Sequence, residues 1–237
     1  MGAETELRSR TDAVEDVSTR AVERRYDRIA WLYDFYDAPM NKLGGLNRRR
    51  RVVEQARGSI LEVGIGTGVN LELYPPTAEV TGIDISTRML ARARRRAAML
   101  GTQVRLLHGD VERLPFSDAT FDTVLATCVF CSVADPVQGL REVRRVVRPN
   151  GRVLLLEHIR PENVVLGWLA DVVSPLTKRL MGPELNRRIE ENVARSGLCV
   201  AAVHREGIWR EVEAYPRQRR RQAEECRVDR KDERPLR

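Results

Sequence analysis

Glycines at alternate positions, Gly64, Gly66 and Gly68, break the apolar run of "ILEVGIGTGVNLELY" (60–74) where it turns toward a helix-like segment. Glycine accepts positive φ and, lacking a Cβ, lets the main chain approach a ligand closely, while the amides that open a helix point at whatever lies there. Such a bend suits a nucleotide-type ligand. The dinucleotide fingerprint G-x-G-x-x-G requires glycine at position 69, where the chain has Val69. A phosphate-cradling P-loop requires Gly-Lys-Ser/Thr, and "GVN" offers no lysine.

The acidic residues near the bend narrow the ligand further. Glu62, two residues before the first glycine, opposes a dianionic ligand and favours one with positive charge. Asp84, followed by Ile85, is placed to accept hydrogen bonds from ribose hydroxyls; Asp110, followed by Val111, is placed near an adenine. S-adenosylmethionine, an adenosine carrying an ammonium and a sulfonium, meets these requirements. The expected cofactor-binding set is Glu62, Gly64, Gly66, Gly68, Asp84, Ile85, Asp110, Val111 and Thr127. An NAD(P)-dependent oxidoreductase on the same architecture is the alternative, opposed by Val69 and Glu62.

Elements able to position these residues are legible as apolar runs alternating with amphipathic stretches, the pattern of an α/β chain with a mostly parallel sheet. Five strands are expected in succession: "SILEVGI" (59–65), "EVTGIDI" (79–85), "QVRLLHG" (103–109), "FDTVLATCV" (121–129) and "GRVLLLEHI" (151–159). Ser86 caps the helix "TRMLARARRRAAML", which Gly101 closes, and Asp135 with Pro136 opens another ahead of Pro149-Asn150-Gly151. Residues 22–57 read as helical cap segments rich in aromatics, and 161–197 as an insertion of short helices. Two last strands follow in "LCVAAVHRE" and "GIWREVEAYP".

A chain of 237 residues with 42% hydrophobic content fits one such domain, expected over 22–216, between a flexible segment at 1–21 and a disordered tail at 217–237. The tail holds nine Lys/Arg against five Asp/Glu and supplies +4 of the formal +7, so the rest is only mildly basic. A non-catalytic module binding nucleic acid through this tail is the second alternative; the arginines at 88, 92, 94, 95 and 96 read as a solvated helix face. Four scattered cysteines predict reduced thiols, and Cys128 and Cys131 lack a second ligand pair, so neither a metal site nor a redox pair is expected. Without a long apolar run or secretory leader, the expected compartment is the cytoplasm.

In order along the chain, "LEVGIGTG", "VTGIDIS", "HGDVERLPFSDATFDTV" and "REVRRVVRPNGRVLLLEH" resemble the motifs of class I S-adenosylmethionine-dependent methyltransferases of the type 11 group. The resemblance covers roughly residues 26–215 and is closest to quinone and phospholipid methyltransferases and thiol methyltransferase-like proteins. It implies a Rossmann-like seven-stranded sheet with helices on both faces and the last strand antiparallel. It also implies S-adenosylmethionine as cofactor, and Tyr26 and Tyr33 in a segment closing over its methionine part. The implied acceptor is a small, apolar molecule: a quinone, phospholipid amine or thiol. The Asn/Asp-Pro-Pro-aromatic tetrapeptide of nucleobase and glutamine methylation is replaced by "ATCVFCSV", so no nucleic acid partner is expected. "VVLGWLADVVSPL" occupies the place where the group shapes its acceptor pocket, and a peripheral membrane contact there would admit a lipid.

Methyl transfer from a sulfonium needs mainly proximity and orientation, worth about 7–11 kcal/mol, so a general base is optional. His158, after the fifth strand at the edge where open α/β sheets bind ligands, is one candidate to orient or deprotonate an acceptor, with a structural histidine the plainer reading. Tyr33 is the other.

Overall fold

Continuous Val, Ile and Leu runs form strands that are buried on both faces, as parallel pairing under helices requires. The computed structural model describes residues 20–31, 44–158 and 189–216. Tyr33, the tail, "VVLGWLADVVSPL" and most of the two terminal and insertion segments lie outside the described residues. A helix over residues 20–29 (α1) and α2 (Leu46–Val53) precede the sheet.

The sheet comprises β1 (Ser59–Val63), β2 (Glu79–Asp84), β3 (Val104–His108), β4 (Phe121–Thr127), β5 (Val147–His158), β6 (Leu198–Glu206) and β7 (Trp209–Pro216). Their order is β3-β2-β1-β4-β5-β7-β6. Strand β1 pairs in parallel with both β2 and β4, and β7 runs antiparallel to β5 and β6. The chain therefore steps outward from β1 to β3 and returns to the other side of β1 with β4. That reversal opens a crevice at the strands' C-terminal ends.

Alternation along the strands divides the core. Leu61, Val63, Val124, Ala126 and Leu155 face the side of α4 (Pro136–Val146) and α5 (Ile189–Arg195). Ile60, Leu125, Leu154 and Leu156 face α2, and Leu90 and Ala97 seat α3 (Thr87–Leu100). The caps expected from sequence form: Ser86 Oγ accepts from Met89 N at 3.1 Å, and Asp135 Oδ1 accepts from Val137 N and Gln138 N.

Three details differ from expectation. The glycine bend leads into a 3-10 turn (Val69–Leu73) rather than a longer helix, because Pro75 and Pro76 exclude the next turn. Residues 149 and 150 fall within β5 rather than before it, absorbed by a register shift opposite Phe121 and Thr123. Cys199 is disulfide-bonded, against the expectation of reduced thiols, whereas Cys128 and Cys131 keep their thiols outside any disulfide. Among the described residues, no helix is long and apolar enough to cross a membrane.

Candidate functional site

The crevice between β1, β2 and β4 holds a cavity whose walls come from five places in the chain. Gly64 and Gly66 supply one wall, Asp84 and Ile85 the next, and Gly109 with Val111 a third; Thr127, Cys128 and Val129 lie opposite, and Val22 and Tyr26 of α1 cover it. Both bend glycines adopt left-handed φ, 62° at Gly64 and 57° at Gly66. Their reasons differ. A Cβ on Gly64 would stand 2.5 Å from Val129 Cγ2, whereas one on Gly66 would meet nothing closer than 3.9 Å. Gly64 is thus fixed by packing, and Gly66 leaves room at the cavity wall.

Asp84 ties the bend to α3. Its Oδ2 accepts from Gly66 N and its Oδ1 from Ser86 N, both at 2.8 Å. Burial raises its carboxyl to about 6, with those two amides acting in the opposite sense. Each oxygen keeps acceptor capacity after one amide bond, so a ligand's hydroxyls can be received there. Helix α1 is fastened over this wall: Ser86 Oγ donates to Asp27 Oδ1 at 2.6 Å, and the hydroxyls of Tyr26 and Ser132 meet at 2.6 Å.

Behind the cavity lies a buried polar floor. Glu62, 2% exposed, accepts from Asn70 Nδ2 at 2.8 Å and from Tyr74 OH at 2.9 Å. Strand alternation turns it to the α2 face, so it does not line the cavity in which sequence reasoning placed it. Burial raises its carboxyl to about 7. Arg49, 6% exposed, donates to Thr127 Oγ1 at 2.5 Å and lowers the Glu62 carboxyl electrostatically. Asn70 donates to the same Thr127 oxygen at 3.1 Å.

Glu157 forms the other half of the floor. Its Oε1 accepts from Val129 N at 2.9 Å and Phe130 N at 2.8 Å, while Oε2 has no hydrogen-bond partner among the described residues. Burial raises this carboxyl to about 7, with the Phe130 and Val129 amides pulling it down. The loop it holds begins at Cys128, whose φ of 58° is rare for a residue with a side chain. Burial likewise pushes the Cys131 thiol well up, which makes it a poor nucleophile.

Of the expected site residues, Tyr26, Gly64, Gly66, Asp84, Ile85, Val111 and Thr127 are brought to one cavity. Gly68 instead packs on α3, where a Cβ would meet Leu71 and Ala93. Asp110 caps the turn Val111–Arg113 by accepting from Glu112 N at 2.9 Å, and it stands outside the cavity wall. His158 points to the α2 face and packs edge-on against Trp209, 6.2 Å between ring centres, because adjacent strand residues face opposite ways. Arg49 and Glu157 were missed. The only signal for Glu157 was a carboxylate inside "VLLLEH"; Arg49 had none within "NRRRR".

Comparisons with known proteins fit this geometry. A family described as a methyltransferase domain matches residues 61–155. A phosphatidylethanolamine N-methyltransferase of Cereibacter sphaeroides is 40% identical over 162 residues, covering 67% of this chain and 76% of that protein. A demethylmenaquinone methyltransferase of Thermus thermophilus is 38% identical over 149 residues, covering 60% of this chain and 68% of that protein. In structure, a SAM-dependent methyltransferase of Thermotoga maritima gives a TM-score of 0.66 at 19% identity, covering 83% of this chain and 100% of that one. The cyclase SpnF gives 0.55 at 23% identity, covering 67% of this chain and 58% of that one, so the fold by itself does not fix the reaction.

Proposed function

The chain belongs to the S-adenosylmethionine-dependent methyltransferases, and from that premise we propose that its cavity binds the donor against Asp84 and passes the methyl group to a lipid-phase acceptor, a phospholipid amine or a quinone. When bound, the donor supplies an electrophilic methyl group on a sulfonium. Asp84 receives the ribose hydroxyls, because both its oxygens keep acceptor capacity while the Gly66 and Ser86 amides hold the carboxylate in place. This is the observation that carries the reading. Gly66 would admit the methionine portion along bare main chain, and Val111, which lines the same cavity, would flank the adenine.

The chain's own part in the reaction is orientation and exclusion of water. Tyr26 and Val22 close the cavity from above, and the buried Arg49–Thr127–Asn70–Glu62 network fixes the β1 and β4 ends between which the donor lies. Met89, Val129 and Val133 give the remaining wall an apolar character suited to a lipid acceptor. No role as base is assigned to His158, whose ring is committed to Trp209.

Titration calorimetry with S-adenosylhomocysteine tests the donor site. Binding in the micromolar range, about −8 kcal/mol, with no response to NADH supports it, and the reverse result discards it. Asp84→Ala removes charged hydrogen bonds worth about 1.5–3 kcal/mol and should weaken affinity about 10- to 150-fold. Unchanged affinity would place the ribose elsewhere. Incubation with methyl-labelled donor and pooled phospholipids, quinones and thiols tests the acceptor: label in the thiol pool alone overturns the lipid assignment.

A further inference from the structure

Outside the cavity, arginines gather where α1 lies beside α3. Arg24, Arg25, Arg28 and Arg88 line the first stretch of a shallow groove between them, and Arg92 and Arg95 line the next together with Trp31. Asp27 is the one carboxylate among these lining residues, and it already accepts from the Ser86 hydroxyl and the Arg88 amide. Trp31 is 70% exposed at the end of the groove. Along α3, Met99 falls eleven residues after Arg88, hence on the same helical face, and it is 86% exposed, with Leu100 beside it at 44%.

We infer that this α1–α3 face docks the protein on an anionic phospholipid surface. Clustered arginines are drawn to the negative potential of such a surface, and an exposed indole with neighbouring apolar side chains gains by entering the boundary between headgroups and acyl chains. A nucleic acid would satisfy the arginines but leave Met99 and Leu100 in water. The opposite side of α1, through Val22 and Tyr26, covers the donor cavity, so docking sets the cavity mouth beside the lipid surface. Among the described residues no helix is long and apolar enough to cross a membrane. This inference goes beyond the methyl-transfer reading and stands or falls separately from it, since lipid docking and donor binding are measured apart.

The test is sedimentation of the full-length protein with vesicles of phosphatidylcholine alone and of phosphatidylcholine mixed with phosphatidylglycerol. Binding is expected only to the mixed vesicles and should be lost at about 0.5 M salt, where charges are screened within a few ångströms. Arg24→Gln, Arg28→Gln and Arg95→Gln together should weaken it about a hundredfold, and Trp31→Ala should weaken it further. The C-terminal tail is present in every protein compared, so its charge cancels. Titration with S-adenosylhomocysteine should be unaltered in the arginine variant, which shows that the fold is intact. Equal binding to neutral vesicles, retention by the arginine variant, or binding of single-stranded RNA in preference to anionic vesicles would each overturn the proposal.

Discussion

The rim of the cavity and the floor behind it are assembled differently. At the rim, one carboxylate, Asp84, orders two backbone amides close to strand ends, and positive φ at Gly64 and Gly66 sets the shape. On the floor, contacts join distant parts of the chain: Arg49 reaches Thr127, 78 residues on, and Glu157 holds Val129 and Phe130, 28 and 27 residues earlier. The rim is a product of backbone conformation, the floor of side chains meeting across a sheet. Damage to the rim should therefore register in ligand affinity, and damage to the floor in stability and its pH dependence.

The largest effect should come from the glycine that belongs to both regions. Gly64→Ala carries a left-handed penalty of about 1–2 kcal/mol and an overpacking cost of about 1–3 kcal/mol against Val129, so urea unfolding should show a loss of about 2–5 kcal/mol. Gly66→Ala bears only the conformational part, since its Cβ would meet nothing within 3.4 Å. Its S-adenosylhomocysteine affinity should nevertheless fall by about tenfold or more, because the new methyl group projects at the cavity wall. Equal stability losses in the two variants, with affinity intact in the second, would erase the distinction between rim and floor.

Next in size is the floor's response to pH. Burial holds the folded Glu157 carboxyl at about 7, above the ordinary 4.5. Below pH 4.5 both folded and unfolded states keep the proton, so the group has no effect on stability. Between 4.5 and about 7 the unfolded state releases its proton first, and folding stability declines as pH rises, by about 3 kcal/mol for this group. Glu62 and Asp84, also raised by burial, act in the same direction. Glu157→Gln keeps an oxygen for the Val129 and Phe130 amides but cannot titrate, so urea unfolding between pH 4.5 and 8 should lose about 3 kcal/mol of that decline. An unchanged slope would mean that Glu157 is not the titrating group.

How much of this was readable follows the same division. The bend, Asp84 and the caps at Ser86 and Asp135 were legible because each depends on residue type at a fixed offset within a single turn. Glu62 was recognised but misplaced: "ILEV" is apolar on both sides of the carboxylate, so the sequence does not reveal which face of β1 carries the ligand. Arg49 has the same type as its neighbours in "NRRRR", and only the rotation of α2 against the sheet buries Arg48 and Arg49 while leaving Arg50 exposed. The attention drawn by His158 belonged one residue earlier, on Glu157, a shift of one that reverses the face. The arginines of α3 read as a plain solvated surface because the second helix that makes them part of a groove is distant in sequence.

The smallest expected effect lies where α1 meets the rim. Tyr26 OH and Ser132 Oγ are 2.6 Å apart across the cavity, and a second tie, Asp27 to Ser86, holds the same helix. Tyr26→Phe keeps the ring and its packing while removing one hydrogen bond, worth about 0.5–1.5 kcal/mol. If α1 acts as a cover whose closure accompanies donor binding, that loss appears as S-adenosylhomocysteine affinity weakened about 2- to 10-fold and faster amide exchange over residues 20–29, with unfolding midpoints of the sheet unmoved. Should the sheet's midpoint drop while exchange in α1 stays constant, Tyr26 would belong with the floor as a packing residue, and the cover would be fastened by its other ties, among them Asp27 to Ser86 and Glu23 to His108.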